Sequence, residues 1–249
     1  MSSNAQGRPV ALVTGAARRI GATIARRLHG AGYDVALHCR RSRAELDALI
    51  AELERVRADS TLALQAELGD AAAPAPMIDA TIARFGRLDA LVNNASAFHP
   101  TPVGAATQAQ WDELFGANAR GPFFLAQAAA PHLRERSGAI VNIVDVYAER
   151  PLPDHPIYCM SKAALAMMTR ALARDLAPAV RVNGVAPGAV LWPETGKSQA
   201  DRQQLIERTP LRRTGTPEDV AAAVLWLLAD ASFVTGEIVR VDGGRHLAI

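Results

Sequence analysis

The stretch VALVTGAARRIGATIARRLHGAG, residues 10–32, decides the fold of this chain. Val10–Val13 is a short apolar run of the kind that forms a buried strand in a parallel sheet. Gly15 follows this run, and from Ile20 to Ala31 the apolar residues recur at helical spacing. The stretch therefore predicts a strand, a tight turn and a helix. The N-terminus of such a helix binds pyrophosphate through free N–H groups and the helix dipole.

The predicted turn carries two arginines, Arg18 and Arg19, between Gly15 and Gly21. Its spacing, Gly15-x-x-x-Arg19-x-Gly21, is not the plain G-x-G-x-x-G pattern of dinucleotide-binding folds. Either the loop binds phosphate with the arginines as additional donors, or it is an ordinary βα turn with solvated arginines.

Segments of strand type and helix type alternate along the whole chain. The predicted strands cover residues 9–14, 34–38, 61–66, 88–93, 138–144, 180–186 and 237–241. The predicted helices lie near residues 19–31, 42–57, 72–85, 107–134, 155–177, 201–208 and 217–229. This alternation predicts a Rossmann-type α/β fold, a doubly wound, seven-stranded parallel sheet with helices on both faces. Because no linker or repeat divides the chain, residues 1–249 form one predicted domain.

Residues 188–213 separate the sixth predicted strand from the helix that follows. The segment is polar and contains Pro193 and Gly196. In a doubly wound sheet it lies beside the carboxyl ends of the strands, where ligands bind, so it is a candidate substrate loop. Trp192 in this segment either covers the substrate or has a structural role.

Composition narrows the possible function classes. Of the 249 residues 49% are hydrophobic, which is enough for a large core. A net charge of +2 gives no reason to expect nucleic acid or a membrane surface as a partner. Residues 1–8 lack the hydrophobic region of a signal peptide, and no run of about 18 apolar residues is present. These features lead us to expect a cytoplasmic protein. Because Cys39, Cys159 and the histidines form no metal-ligand motif, we expect no structural metal site.

The end of the second predicted strand indicates which dinucleotide binds. NAD-binding folds place Asp or Glu there to accept hydrogen bonds from the ribose 2′-hydroxyl. Here DVALH is followed by CRRSR, which puts Arg40, Arg41 and Ser42 at this point, and the first acid after the strand is Glu45. Guanidinium groups hold a 2′-phosphate by charge-assisted hydrogen bonds, so the segment predicts NADPH. The alternative is a solvated, basic helix start.

Tyr158 and Lys162, in YCMSK, lie four residues apart on one face of a predicted helix. A free tyrosine, with a pKa of about 10, is a poor proton carrier at neutral pH, and a neighbouring ammonium is expected to lower that pKa. Asn118 lies on an earlier predicted helix, and Asp145 lies just past the fifth strand. These four side chains are the predicted catalytic set. For Asp145, the alternative is the capping of a helix or turn.

An ordered set of motifs resembles the short-chain dehydrogenase/reductase family over nearly the whole chain: TGAARRIG, LVNNAS, Asn118, YCMSK, RVNGVAPG and VTGEIVRVDGG. In that family the tyrosine donates a proton, the lysine binds the nicotinamide ribose and lowers the tyrosine pKa, and the asparagine supports a water chain. Besides Arg40, Arg41 and Ser42, the cofactor contacts that the resemblance implies are Gly15, Arg18, Arg19, Ile20, Gly21, Asn93, Ala95, Lys162, Pro187 and Gly188. It also implies a homotetramer built through the long predicted helices at 107–134 and 155–177.

The chain departs from the general family pattern at three positions. Asp145 stands where the family usually has a serine that binds a substrate carbonyl. A carboxylate about 4 Å from a developing alkoxide costs roughly 4 kcal/mol at an effective dielectric constant of about 20. The stretch NNASAFHPTP replaces the commoner NNAG and brings Ser96 and the aromatic Phe98 beside the expected nicotinamide site. Arg19 is the third departure.

These departures resemble the pteridine reductase branch of the family. The resemblance implies that the pterin contacts Arg19, Ser96, Phe98, Asp145 and Tyr158, with Phe98 stacked on the ring opposite the nicotinamide. Plain core packing is the alternative for Phe98. The expected reaction is NADPH-dependent reduction of dihydropterins, extending in some members to oxidised pterins and folates. The alternatives are a carbonyl reductase, such as a 3-oxoacyl-thioester reductase, and a non-catalytic dinucleotide sensor.

Overall fold

Seven strands pair into one sheet in the computed structural model of the chain, which describes residues 7–190 and 199–247. In chain order the strands are β1 (Val10–Val13), β2 (Asp34–Cys39), β3 (Thr61–Gln65), β4 (Ala90–Asn93), β5 (Ala139–Ile143), β6 (Arg181–Pro187) and β7 (Ile238–Val241). Every pairing is parallel, and the order across the sheet is β3-β2-β1-β4-β5-β6-β7. The predicted seven-stranded parallel sheet is confirmed.

Eight α-helices connect the strands within the described residues. They are α1 (Arg19–Gly30), α2 (Arg43–Val56), α3 (Pro74–Phe85), α4 (Gln108–Phe115), α5 (Gly121–Arg134), α6 (Pro156–Leu176), α7 (Gln199–Glu207) and α8 (Pro217–Ala229). The helix predicted at 107–134 is divided, because a π-helical turn over Gly116–Arg120 separates α4 from α5. None of the helices in this part of the chain has both the length and the apolar character needed to cross a bilayer.

The sheet is buried between two layers of helices, which explains why its strands are so apolar. All four residues of β1 are fully buried. Ala11 and Val13 pack with α1, α2 and α8 on one face, whereas Val10 and Leu12 pack with α3, α5 and α6 on the other. The prediction of helices on both faces is therefore confirmed.

The position of the functional crevice follows from the strand order. From β1 the sheet extends to β2 and β3 on one side, and from β4 it extends to β5, β6 and β7 on the other. Ligands of doubly wound sheets bind at such a switch point, outside the carboxyl ends of the strands.

The candidate substrate loop at 188–213 is described in part. Helix α7 occupies Gln199–Glu207, close to the helix predicted at 201–208. Residues 191–198 lie outside the described residues, and Trp192 is among them, so its role stays a prediction.

Candidate active site

A cavity of about 480 Å³ lies at the switch point between β1 and β4. Its walls are the loops that follow β1, β2, β3 and β4, together with the start of α1. The predicted cofactor and substrate residues that line it are Gly15, Arg18, Arg19, Ile20, Gly21, Arg40, Arg41, Ser42, Ala95 and Ser96. Most of the predicted cofactor residues therefore meet in one cavity, whose volume is in the range of small-molecule sites.

The turn after β1 packs so closely against the loop after β4 that two positions require glycine. A Cβ on Gly21 would lie 2.1 Å from the carbonyl oxygen of Gly15 and 2.5 Å from Nδ2 of Asn94. Gly15 has a φ of +62°, and a Cβ there would lie 2.9 Å from Cα of Ala95. Nδ2 of Asn94 donates hydrogen bonds to the carbonyl oxygens of Thr14, at 2.8 Å, and Gly15, at 3.0 Å. These contacts fix the turn against the neighbouring loop.

Helix α1 begins at this turn with an N-terminus that lacks a side-chain cap. Arg18 is the N-cap residue, and its side chain makes no capping hydrogen bond. The first-turn N–H groups of such a helix are available to an anion, so this end of α1 fits the pyrophosphate of a dinucleotide. Arg19 has a φ of +54°. An arginine thus holds the left-handed conformation that a glycine adopts more readily.

Arg18, at the start of α1, lies with Arg41 and Ser42 of the loop after β2 in a basic group on the cavity wall. Arg18 donates a 2.5 Å hydrogen bond to Oγ of Ser42 and lies 3.3 Å from a carboxylate oxygen of Glu45. Arg41 is exposed and forms no ion pair within the described residues. Two guanidinium groups and a hydroxyl are the donors that a 2′-phosphate needs.

Arg40 lines the same cavity, but acids already balance its charge. Its guanidinium forms ion pairs with Glu67 and, at 2.9 Å, with Glu113. The predicted contact between Arg40 and the cofactor therefore competes with two ion pairs. The predicted contact of Arg41 competes with no ion pair among the described residues.

His38, which the sequence reasoning did not select, supports the phosphate turn. The N–H of Gly15 donates to Nδ1 of His38 at 3.2 Å, and Nε2 lies 3.1 Å from the carbonyl oxygen of Ala66. We therefore assign a neutral ring with its proton on Nε2. Burial lowers the pKa of His38, which favours this neutral form. The available signal was a polar residue at the end of DVALH, directly before CRRSR.

Tyr158 and Asp145 form the centre of the site. Tyr158 lies in the first turn of α6, and its hydroxyl donates a 2.6 Å hydrogen bond to Oδ2 of Asp145. Oδ1 of Asp145 accepts a 2.9 Å hydrogen bond from the N–H of Tyr147, so Asp145 also caps the 3₁₀ turn Val146–Ala148. The predicted acid–tyrosine pair and the alternative capping role are both present.

Lys162 lies one turn after Tyr158 on α6 and is only 2% exposed. Its Nζ donates a 2.9 Å hydrogen bond to the carbonyl oxygen of Ile143 and lies 5.9 Å from the centroid of the Tyr158 ring. Burial lowers the pKa of Lys162 to about 8, although the charge of Asp145 opposes this effect. The ammonium is therefore close to the pair formed by Tyr158 and Asp145 but is not hydrogen-bonded to the tyrosine hydroxyl.

The pKa shift of Tyr158 is opposite in direction to the one expected from its spacing to Lys162. Burial raises the pKa of Tyr158 well above 10, and the charge of Asp145 raises it further. Burial also raises the pKa of Asp145, although the hydrogen bond from Tyr158 opposes this. Tyr158 therefore keeps its proton and directs it at Asp145.

Asn118 lies in the π-helical turn, a local irregularity that is frequent at functional sites. Its Oδ1 accepts hydrogen bonds from the N–H of Ala97, at 2.9 Å, and from Oγ of Ser96, at 3.0 Å. Its Nδ2 donates to the carbonyl oxygen of Ala97, at 3.0 Å, and to Oγ of Ser161, at 2.9 Å. Asn118 thus fixes the Ser96–Ala97 segment relative to α6.

Phe98 lies against Tyr158. The rings of Phe98 and Tyr158 meet edge-on with centroids 4.7 Å apart, and Phe98 stacks on His155 with centroids 4.8 Å apart and planes 16° apart. Phe98 is 50% exposed, which rules out the alternative of plain core packing.

Asn93, Pro187 and Gly188 are not among the residues that line the cofactor cavity. Asn93 is buried and donates a 2.9 Å hydrogen bond to Oδ1 of Asn142, whereas the next residue, Asn94, lines the cavity. Gly188 packs so tightly that a Cβ would lie 2.7 Å from Cβ of Asp242. The cofactor contacts of Asn93, Pro187 and Gly188 stay predictions.

The cysteines and histidines are dispersed. Cys39 is buried, and Sγ of Cys159 accepts a hydrogen bond from the N–H of Leu152 at 3.4 Å. Within residues 7–190 and 199–247, His, Cys, Asp and Glu side chains form no group of three that could hold a metal ion.

Comparisons with known proteins identify the family. The family described as enoyl-(acyl carrier protein) reductase matches residues 15–246. A Streptomyces violaceoruber protein named as a ketoacyl reductase of the granaticin polyketide synthase is 39% identical over 99% of this chain and 100% of its own length. Pteridine reductase 1 of Leishmania tarentolae is 36% identical over 96% of each chain. A 3-oxoacyl-acyl-carrier-protein reductase of Staphylococcus aureus is 36% identical over 95% of this chain and 98% of its own. Together with the geometry of Tyr158, Lys162 and the phosphate turn, these matches show that the chain belongs to the short-chain dehydrogenase/reductase family of oxidoreductases.

Proposed function

We propose that the chain is a cytoplasmic, NADPH-dependent pteridine reductase that converts dihydropterins to tetrahydropterins. The observation that carries this proposal is the 2.6 Å hydrogen bond between Tyr158 and Asp145. It sets a carboxylate beside the proton donor, at the position where the general family pattern has a serine. The identity of 36% to Pteridine reductase 1 of Leishmania tarentolae also supports it.

The carboxylate of Asp145 favours a nitrogen heterocycle over a ketone as substrate. Hydride transfer to a ketone creates an alkoxide, which a carboxylate about 4 Å away opposes by roughly 4 kcal/mol at an effective dielectric constant of about 20. Reduction of a ring C=N bond takes a hydride at carbon and a proton at nitrogen, so no alkoxide forms. The ring and amino N–H groups of a reduced pterin are donors that an ionised carboxylate accepts.

In this proposal Tyr158 donates the proton, and Asp145 orients the substrate. Tyr158 stays protonated because its pKa lies well above 10. Once substrate N–H groups occupy the carboxylate of Asp145, the hydroxyl of Tyr158 is released to donate to the ring. Lys162, anchored on the carbonyl oxygen of Ile143, supplies a positive charge next to both.

Phe98 and the cofactor cavity provide the two faces of the substrate site. The exposed part of Phe98 offers an apolar surface on which a flat pterin stacks. Ser96 and Arg19 line the adjoining cavity and are proposed to contact pterin or phosphate.

NADPH fits the rest of this cavity, and it supplies the hydride when bound. The uncapped N-terminus of α1 suits its pyrophosphate. Arg18, Arg41 and Ser42 suit its 2′-phosphate. Lys162 is proposed to hold the nicotinamide ribose.

A 3-oxoacyl-thioester reductase is the second candidate function. Two of the relatives carry names of this type, and they are 39% and 36% identical to this chain. The carbonyl chemistry of such an enzyme conflicts with the position of Asp145, so this candidate ranks below pteridine reduction.

Steady-state oxidation of NADPH by the purified protein separates these functions. We expect faster turnover with 7,8-dihydrobiopterin than with acetoacetyl-CoA or a panel of small ketones. Reduction of the thioester or the ketones without reduction of any dihydropterin would contradict the proposal. Tight NADPH binding without turnover of any of these compounds would instead indicate a dinucleotide sensor.

We also propose that the protein forms a homotetramer through α4, α5 and α6. Large apolar side chains are exposed on these helices, namely Trp111, Phe123, Phe124, Met160 and Met167. Exposed apolar groups of this kind are typical of surfaces that another protein covers. Light scattering gives the molar mass in solution, and a monomer at micromolar concentration would contradict the proposal.

A further inference from the structure

A second cavity, of about 310 Å³, borders the catalytic site at Tyr147. Its three walls are residues 146–151 after β5, helix α7, and the C-terminal 3₁₀ turn Arg245–Leu247. It has no lining residue in common with the cofactor cavity. A dinucleotide in the first cavity therefore leaves this one available to another group.

The second cavity is basic. Three arginines line it, namely Arg150 after β5, Arg208 directly after α7 and Arg245 in the C-terminal turn, and Asp201 is the carboxylate among the described lining residues. His246 also lines the cavity, but its Nδ1 is already 2.8 Å from a buried carboxylate. The excess of guanidinium groups suits a carboxylate or a phosphate.

Apolar side chains complete the lining and indicate that the ligand has an apolar stem beside its anionic end. Leu205 on α7 faces the same space as Val146 and Pro151 after β5. A ligand with an apolar stem and an anionic end matches this mixture of surfaces better than a free inorganic ion does.

Tyr147 connects this cavity to the catalytic pair. Its N–H donates to Oδ1 of Asp145 at 2.9 Å, and its hydroxyl accepts a 3.0 Å hydrogen bond from Arg245. Its ring packs in the apolar cluster that contains Tyr158. A substrate whose ring lies at Asp145 can therefore extend its side chain past Tyr147 toward the arginines.

We propose that the second cavity binds a carboxylate or phosphate group at the end of the substrate side chain, so that the enzyme prefers anionic dihydropterins to neutral ones. This inference rests on the pteridine reductase function proposed above. Arg208 and Arg245 hold the anion through charge-assisted hydrogen bonds, and the apolar stem lies against Leu205.

Arg208 is the position to test, because it lies in the cavity but makes no contact with the catalytic pair. We would compare the KM of dihydrobiopterin, which is neutral, with those of dihydrofolate, which carries carboxylates, and a dihydroneopterin monophosphate. Arg208→Gln is expected to raise the KM of an anionic substrate roughly 10-fold or more and to leave that of dihydrobiopterin unchanged. Whichever anionic substrate responds identifies the group that the cavity binds.

Two matched variants control for charge and for nonspecific effects. Arg208→Lys keeps the charge and should retain most of the preference for the anionic substrate. Arg55→Gln removes an exposed arginine of α2, which is remote in sequence from the cavity walls, and should change none of the KM values. Equal effects of Arg208→Gln on neutral and anionic substrates would overturn the proposal.

Calorimetric titration of folate and biopterin in the presence of NADP⁺ keeps the two proposals separate. If no dihydropterin is turned over, but folate binds more tightly than biopterin and loses this advantage in Arg208→Gln, only the proposed reaction fails. If dihydropterins are reduced and neither Arg208→Gln nor Arg245→Gln weakens an anionic ligand, only the second cavity has been misassigned.

Discussion

The hydroxyl of Tyr158, the proposed proton donor, donates a hydrogen bond to Oδ2 of Asp145 across 2.6 Å. Tyr158 is only 4% exposed, which strengthens the interaction because little water screens it. Lys162 lies beside the pair, but its nearest hydrogen-bond partner is the carbonyl oxygen of Ile143. Substitutions of Tyr158 therefore test proton donation, and substitutions of Asp145 test the part of its charge and shape in substrate selection.

Tyr158→Phe removes the proton donor and keeps the ring. We expect turnover to fall about 100-fold or more, because positioned acid–base groups contribute at least that much. The affinity for NADPH, measured by fluorescence titration, should change little, since the hydroxyl is hydrogen-bonded to Asp145 and Tyr158 does not line the cofactor cavity. A Tyr158→Phe enzyme with near-normal turnover and pH profile would remove tyrosine from the mechanism.

Asp145 is expected to select the substrate ring. Asp145→Asn preserves the shape but not the charge, and Asp145→Ser restores the residue usual in the family. Both variants should lose most of their activity with dihydrobiopterin, whereas Asp145→Ser should gain a trace of activity with small ketones. The measurement is kcat/KM of each variant with both substrate types. Unchanged dihydropterin reduction by Asp145→Asn would show that the carboxylate charge is not used.

Cofactor preference is expected to depend more on Arg41 than on Arg40. Arg41→Ala should weaken NADPH binding roughly 10- to 100-fold and leave NADH binding unchanged, because a charge-assisted hydrogen bond is worth about 1.5–3 kcal/mol. Arg40→Ala should have the smaller effect, since Glu67 and Glu113 already pair with Arg40. Calorimetric titration with both dinucleotides measures this, and Arg43→Ala, on the exposed pair with Asp47, is the control. Equal affinities of the unaltered protein for NADH and NADPH would refute the assignment.

His38 is expected to make the fold less stable at acidic pH. Burial holds its pKa below the ordinary value of about 6.5, so the unfolded chain takes up the proton at a higher pH than the folded chain does. The stabilisation is therefore complete above about pH 6.5 and is lost as the pH falls through the lower, folded-state pKa. Protonation of Nδ1 would also break the hydrogen bond from the N–H of Gly15, because a protonated Nδ1 is a donor and cannot accept.

His38→Gln tests this prediction, because glutamine can accept from Gly15 and donate to Ala66 without titrating. The decrease in Tm between pH 7.5 and pH 5.5 is expected to be smaller in this variant than in the unaltered protein. Some pH dependence will remain, since burial also lowers the pKa of His29. An identical decrease in both proteins would mean that His38 does not contribute.

The sequence patterns predicted the sheet and the tight turn after β1, because both depend on local spacing. The apolar runs and helical periods correspond to the observed elements to within a few residues. Gly21 is required in the turn because a Cβ there would lie only 2.1 Å from the carbonyl oxygen of Gly15. The division between α4 and α5 escaped prediction, because the π-helical turn around Asn118 serves contacts to Ala97 and Ser161 that are distant in sequence.

The side-chain partners in the site were the least predictable part. Arg40 was assigned to phosphate from its position after β2, but Glu113 on α4 approaches it only in the folded chain. The raised pKa of Tyr158 has the same origin, because burial and the carboxylate of Asp145 raise it, whereas the YCMSK spacing indicates only the nearby ammonium. Charge balance in a folded site depends on groups that no local motif contains.

Arg19→Gly is expected to stabilise the protein while it weakens ligand binding. Arg19 has a φ of +54°, a conformation that costs a non-glycine residue about 1 kcal/mol or more, so glycine should raise Tm by roughly 2–4 °C in a chain of this size. The same change removes a guanidinium from the cofactor cavity. Either the affinity for NADPH should therefore fall roughly 10-fold, or the KM for the pterin should rise by that factor. Ser137→Gly is the matched control, because exposed Ser137 also has a positive φ, of +49°, but lies outside the cavity. Both variants should gain stability, and only Arg19→Gly should lose affinity. If Arg19→Gly binds NADPH and dihydrobiopterin as the unaltered protein does, the arginine in the phosphate turn has no part in ligand recognition.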